Sequence, residues 1–362
     1  MNLSRRFIAL ALGSLACLPY AHAAQATAPL EVAFLYDNPI GDVGWVRQHE
    51  MGRLAVEQQF GDKVKAKYVQ VPTGADSERV MRSLAQGGTK LIFGVSFGYM
   101  NPMAKVAAQF PGTVFMNAQG FMTSKNMGVY SARVYEGFYL NGVVAGKMSK
   151  TGTVGYIASM PVPEVVQGVN AFMLGMRSVN PNAKIKMIWL NTWYDPGRER
   201  EAANALLSDG ADVLTSVLSS PVAVQVAEER GAHAVAWQSD MSKYGPHAQL
   251  SCALLDWSVP YVKATQAVMD GTWKTGNEWL GAHEGVIRMV SLNPSLPADV
   301  KQLVTKLEAD IKSGAFKPFT GPITDQDGKQ RVAAGVSLND DELRRLDWLV
   351  AGIQGRIPAS SK

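Results

Sequence analysis

Gly94-Val95-Ser96-Phe97-Gly98 fits G-x-S-x-G, the sharp strand-to-helix turn that presents a serine nucleophile at the top of an α/β sheet. Asp240 and either His247 or His283 follow in the Ser, Asp, His order that such a relay uses. One reading is therefore an exported esterase acting through Ser96. Against it, no HGGG-type oxyanion segment precedes the serine. A loop bearing glycine and serine after a strand also serves wherever backbone must approach a ligand. Metal chemistry lacks its residues: His49, His233, His247, His283 and Cys252 show neither H-x-x-x-H nor C-x-x-C spacing, so no metal is expected. Neither G-x-x-x-x-G-K-[ST] nor G-x-G-x-x-G occurs, and no cofactor is expected.

The more suggestive residues are aromatic, and they sit where short apolar runs end. Tyr36-Asp37-Asn38-Pro39-Ile40-Gly41-Asp42-Val43-Gly44-Trp45 follows the first such run. Asn191-Thr192-Trp193-Tyr194-Asp195-Pro196 follows a later one, Phe97 and Tyr99 follow another, and Trp237 and Trp257 close two more. Large rings most often fill cores. Several at strand ends that face one cleft would instead stack a flat heterocycle, with nearby Asp or Asn fixing its edge. The expectation is a planar ligand between Trp45, Phe97, Trp193 and Trp237.

The elements that must position these rings are legible as alternating short apolar runs and helix-length amphipathic segments, the pattern of βαβ units and parallel sheets. Strands are expected near 32–36, 66–71, 91–95 and 113–116, with helices near 45–59, 76–85 and 102–109. A second series has strands near 154–158, 184–190, 212–215 and 234–237. It tracks the first at an offset of about 122 residues: Val32-Ala33-Phe34-Leu35 falls on Val154-Gly155-Tyr156-Ile157, and Gly88 falls on Gly210. Two doubly wound α/β lobes in tandem follow. After Trp257 come a helix at 258–270, a strand at 285–292, a helix at 297–313, a hairpin at Asp325-Gln326-Asp327-Gly328, and a last helix opened by Ser337-Leu338-Asn339-Asp340 and running to Ile353. Residues 28–133 and 258–320 are assigned to one lobe, 134–257 and 321–356 to the other. Crossings near 131–140, 254–260 and 315–322 would make a hinge.

Composition sets the class. The 362 residues are 47% hydrophobic and 18% charged, with a net charge of +4 from interspersed Lys+Arg 35 and Asp+Glu 31. That is a folded chain of two domains, without the basic blocks of a nucleic-acid binder. Arg5 and Arg6 before an apolar run from Phe7 to Leu18, then Ala21-His22-Ala23, read as a signal peptide over 1–23 and export to the periplasm. Ser14 stands where a lipobox before Cys17 wants leucine, which favours a free protein over a lipoprotein. Cleavage leaves Cys252 without an intramolecular partner.

Several of these segments resemble the basic membrane protein family of ABC-transporter substrate-binding proteins, which includes purine nucleoside receptors. The resemblance rests on Gly41-Asp42-Val43-Gly44-Trp45, Phe97-Gly98-Tyr99-Met100-Asn101-Pro102, Val134-Tyr135-Glu136-Gly137-Phe138-Tyr139-Leu140-Asn141-Gly142, Trp193-Tyr194-Asp195-Pro196 and Gln238-Ser239-Asp240. It implies a type I periplasmic binding fold, a purine base or nucleoside as ligand, an inner-membrane ABC permease as partner, and a monomer with no enzymatic activity. By position, Trp45 and Trp193 would sandwich the base, while Asp42, Glu136 and Asp240 would hold its edge and the ribose. Nucleoside-binding members carry a lysine where this chain has Leu255-Asp256-Trp257. That reversal of charge at Asp256 turns the expectation toward a free base. A sensory binding protein feeding a chemoreceptor is the other reading that shares this architecture.

Overall fold

The computed structural model describes residues 28–358; the signal peptide expected over 1–23 and Cys17 lie outside the described residues. Continuous apolar runs such as Leu30-Glu31-Val32-Ala33-Phe34-Leu35-Tyr36 become strands covered on both faces, as parallel strands flanked by helices must be. In the first lobe these are β1 (Leu30–Tyr36), α1 (Trp45–Phe60), β2 (Val64–Gln70), α2 (Ala75–Gln86), β3 (Leu91–Gly94), α3 (Met100–Ala107), β4 (Val114–Ala118) and β5 (Met127–Ala132). The second lobe contains α4 (Val134–Met148), β6 (Thr153–Ala158), α5 (Pro163–Val179), β7 (Lys184–Trp189), α6 (Pro196–Ser208), β8 (Val213–Ser216), α7 (Val222–Glu229), β9 (His233–Gln238) and β10 (Gln249–Leu255). The remaining elements are α8 (Ser258–Met269), β11 (Asn277–Leu280), β12 (Ile287–Val290), α9 (Ala298–Ser313), β13 (Ile323–Thr324), β14 (Gln330–Val332), α10 (Asp340–Arg344) and β15 (Ile353–Gln354).

One sheet has the order β11-β5-β4-β3-β1-β2 and the other β12-β10-β9-β8-β6-β7-β15. Both are parallel except where β12 runs antiparallel to β10. The internal repeat survives in the register: Val32 pairs with Leu91 and Val154 with Val213, the same positions displaced by 122 in both strands.

Three expectations need correcting: the lobe of 258–320, the place of the third crossing and the length of the last helix. The segment 258–320 does not stay with one lobe. Helix α8 packs on α1 and β11 joins the first sheet beside β5, but β12 pairs with β10 and α9 packs on α4. The third crossing is therefore at 281–286, between β11 and β12, rather than at 315–322, where Phe316 and Phe319 pack on Tyr139 and Tyr135 of α4. An apolar edge strand carries no mark of which sheet it will join; partner geometry decides it. The last helix is also shorter than expected. Asn339 and Glu342 form the capping box that starts α10, yet the helix ends at Arg344. The buried Asn170 side chain takes the backbone beyond it, donating to Trp348 O at 2.7 Å and accepting from Val350 N at 2.9 Å. Those bonds satisfy the chain outside a helix. Helix α4, which was not among the expected elements, escapes a reading by periodicity because every residue from Val134 to Gly146 is buried, which leaves no polar stripe to reveal a period of 3.6.

Candidate functional site

Each parallel sheet ends its strands on the side facing the other lobe, and the two carboxyl edges meet. The loop after β1 and the first turn of α1 dock on the loops after β8 and β9. Gly44 N donates to Ser239 Oγ at 2.9 Å, Gln48 Nε2 donates to the same oxygen at 2.8 Å, and Trp45 N donates to Ser219 Oγ at 3.3 Å. The Tyr244 hydroxyl donates to Asp42 at 2.9 Å, with Lys243 3.5 Å away. Together they hold the Asp42 carboxyl below its usual range. Gly44 has φ 88°, and a Cβ there would stand 2.5 Å from Ser219 Cβ. Only glycine lets the two backbones meet so closely.

Ser219 also joins the segments that carry two of the expected rings, since its backbone N–H donates to Trp193 O at 2.9 Å while its hydroxyl accepts from Trp45 N. The Trp45 indole is held by residues of its own lobe and by Trp257 at the second crossing. Its Nε1 donates to Val95 O at 2.6 Å, and its ring meets His49 and Trp257 edge-on at 4.6 and 5.4 Å. The Trp193 ring is 46% exposed, as is much of Phe97, whose nearest aromatic neighbour is Phe121 at 6.3 Å. Trp237 is different: it is buried with its ring 4.4 Å from that of Phe138 on α4. It lies in the packing of α4 on the second sheet.

Some of the buried polar atoms without a partner lie at these same edges, and others lie elsewhere in both lobes. Asp37 Oδ1, Asn117 Oδ1 and Gln119 Nε2 in the first lobe, and Ser159 Oγ and Gln238 Oε1 in the second, are buried with no hydrogen-bond partner in the protein. All five lie at or just beyond the carboxyl ends of β1, β4, β6 and β9. A buried acceptor or donor left unpaired costs about 1 to 3 kcal/mol, so each of these is a place where a polar ligand or water belongs. Gln119 and Gln238 also adopt left-handed backbone, with φ 60° and 69°, a conformation that non-glycine residues enter seldom and mostly at functional turns. Their signal in the sequence is a polar residue at or just after the end of an apolar run.

The family model described as "ABC transporter substrate-binding protein PnrA-like" matches residues 30–315. The chain belongs to this family, the basic membrane proteins. A purine-binding protein of Brucella abortus is 47% identical over 337 residues, which cover 93% of this chain and 96% of that one. A Haloferax volcanii protein, named as a glucose-binding component of an ABC transporter, is 34% identical over 91% of this chain and 82% of its own length. The solute-binding protein of an ABC transporter system from Conexibacter woesei superposes with a TM-score of 0.68 at 21% identity, covering 80% of this chain and 98% of that one. The fold is the two-lobed, type I periplasmic binding architecture.

Two of the expected ligand carboxylates lie instead on the crossings between the lobes. Glu136, in the first turn of α4, accepts from Ala282 N at 2.7 Å in the third crossing, where Glu284 accepts from Gly281 N at 2.7 Å. Asp256, in the second crossing, accepts from Ser258 N at 3.0 Å and Oγ at 2.5 Å, and pairs with Arg288 of β12 at 2.9 Å. Asp240 accepts from Ser242 N, Gln249 Nε2 and Ser291 Oγ at 2.9, 2.8 and 2.5 Å. Burial pushes its pKa up, but these donors outweigh burial and hold it low. Ser96 has none of the relay assembled around it: His49 bonds Tyr261, His247 bonds Glu228, His283 bonds Lys312 O, and the Ser96 carbonyl accepts from Asn117 Nδ2 and Tyr99 N.

Burial raises the Glu136 pKa to about 7, the Ala282 N–H only partly offsetting it. An acid whose folded pKa exceeds its unfolded one binds more protons when folded, so stability is full below the unfolded value and falls as pH rises toward the folded value. Glu136→Gln is expected to remove part of the loss between about pH 4.5 and 7 and to stabilise the protein at pH 8 by ~1–3 kcal/mol. Urea unfolding at pH 5 and pH 8 checks this; an unchanged difference between the two pH values would refute it.

Proposed function

We propose that this substrate-binding protein is exported to the periplasm, acts as a monomer, closes its lobes on a purine base between Trp45 and Trp193, and delivers it to an inner-membrane ABC permease. The observation that carries the ligand class is the 47% identity, over nearly the whole of both chains, to a protein named for purine binding. Geometry supports the site: Ser219 brings the Trp45 and Trp193 segments together across the lobes, and unmet donors and acceptors at the strand ends suit a heterocycle edge that presents both. A free base is favoured over a nucleoside because Asp256 is an acid already paired with Arg288, not a cation free to meet a ribose. Delivery to a permease, rather than to a chemoreceptor, follows from the transporter family.

Calorimetry on the purified protein with adenine, hypoxanthine, guanosine and glucose tests this reading. Adenine or hypoxanthine should bind more tightly than guanosine, and glucose should not bind. Base stacking on an aromatic ring is worth about 1 to 3 kcal/mol by alanine substitution, so Trp45→Ala and Trp193→Ala should each weaken purine binding by about 5- to 150-fold. Binding of glucose without any purine would sink the purine assignment. Purine binding undiminished in both variants would sink the sandwich alone.

A further inference from the structure

We propose that the second lobe carries a distinct oxyanion site, for a phosphate group either free or borne by a lipid headgroup, in the groove between α5, the start of β7 and the segment after β15. The groove holds about 520 Å³ and is lined by Arg177, Lys184, Gln326, Arg356 and the bare backbone of Gly352 and Gly355. Lys184 opens β7, so the groove lies at the amino end of that strand and away from the carboxyl edge where the lobes meet.

Three cations line the groove and no carboxylate does. None of the three takes part in an ion pair among the described residues. Like charges gathered without a counter-ion repel one another, and the arrangement is stabilised when an anion enters. Arg177 is the telling member. Its Nε donates to Ala183 O at 3.3 Å, its Nη atoms have no acceptor among the described residues, and it is partly buried. Burial lowers its pKa and no carboxylate opposes that effect. A partly buried guanidinium whose two Nη groups have no acceptor is the fork that phosphate oxygens satisfy two at a time. Gly352 makes room for it: at φ 100°, a Cβ there would stand 2.3 Å from Arg177 Nη2. Lys184 and Arg356 are both exposed and close the groove from outside.

The test uses the full mature protein and inorganic phosphate at low ionic strength, followed by calorimetry. Saturable binding at one site is expected, weakened about ten- to hundredfold by Arg177→Gln, the value of one or two charge-assisted hydrogen bonds. The double variant Lys184→Gln/Arg356→Gln changes only exposed groups and should weaken it as well, while adenine binding stays at the parent value in all variants. Sedimentation with phosphatidylglycerol vesicles against phosphatidylcholine vesicles separates the two sources: retention on the first alone, lost in Arg177→Gln, assigns the lipid headgroup, and no retention assigns a free anion. Absence of binding to both phosphate and anionic vesicles overturns the site. So does phosphate binding that both variants leave unchanged, or that chloride of equal ionic strength abolishes. The outcome is independent of whether the cleft binds purines.

Discussion

Gly44→Ala is expected to hold the lobes apart and to cost the protein most of its ligand affinity. The new methyl would stand 2.5 Å from Ser219 Cβ and 2.6 Å from Ser219 Cα, an overlap that exists only when the first turn of α1 rests on the loop after β8. Forcing atoms into a filled contact costs about 1 to 3 kcal/mol. That penalty falls on the closed form alone, so binding coupled to closure should weaken by about 5- to 150-fold. Small-angle scattering supplies the structural readout: the parent should contract on saturation with adenine, and Gly44→Ala should contract less. Ser219→Gly in the same chain removes the nearest clashing side chain and should restore part of the affinity, which backbone strain at φ 88° could not explain. If Gly44→Ala contracts and binds as the parent does, the contact between α1 and Ser219 is not the closing surface.

Trp237→Ala should act on stability. The residue is 4% exposed and lies on Phe138, and α4 beneath it is the most enclosed helix of the second lobe. Truncating a buried tryptophan costs about 3 to 5 kcal/mol, because the transfer energy of the ring is lost and the cavity closes only partly. Urea unfolding should show the loss at constant slope, with Trp237→Phe intermediate. Stability within about 1 kcal/mol of the parent, together with abolished purine binding, would return Trp237 to the ligand.

The contrast between Trp45 and Trp237 shows what the order of residues carries. Both were candidates for stacking because one follows the loop after β1 and the other closes β9. Residue type and strand-end position are local properties, whereas which face of β9 meets α4 depends on a helix nearly one hundred residues earlier in the chain. The four acids show the same limit. Asp42, Glu136, Asp240 and Asp256 were all placed at crossings or loops, as the sequence suggested, but Glu136 and Asp256 tie hinge segments together, and Asp42 reaches Tyr244 across the lobes. A carboxylate accepts from whatever donor the fold brings to it.

By itself the sequence determined the βαβ alternation, the duplication at 122 residues, the two-lobed architecture and the family, because each rests on short-range patterns of apolar runs, glycines and motif residues that survive without knowledge of contacts. Tertiary structure alone decided that β12 and α9 belong to the second lobe, that the last crossing is at 281–286, that α10 stops at Arg344, and that unmet polar atoms gather at Asp37, Asn117, Gln119, Ser159 and Gln238. The physical reason is common to all of these. Sheet partners, buried hydrogen-bond partners and the absence of such partners are relations between residues far apart in the chain, and nothing in the local pattern of either residue encodes the other.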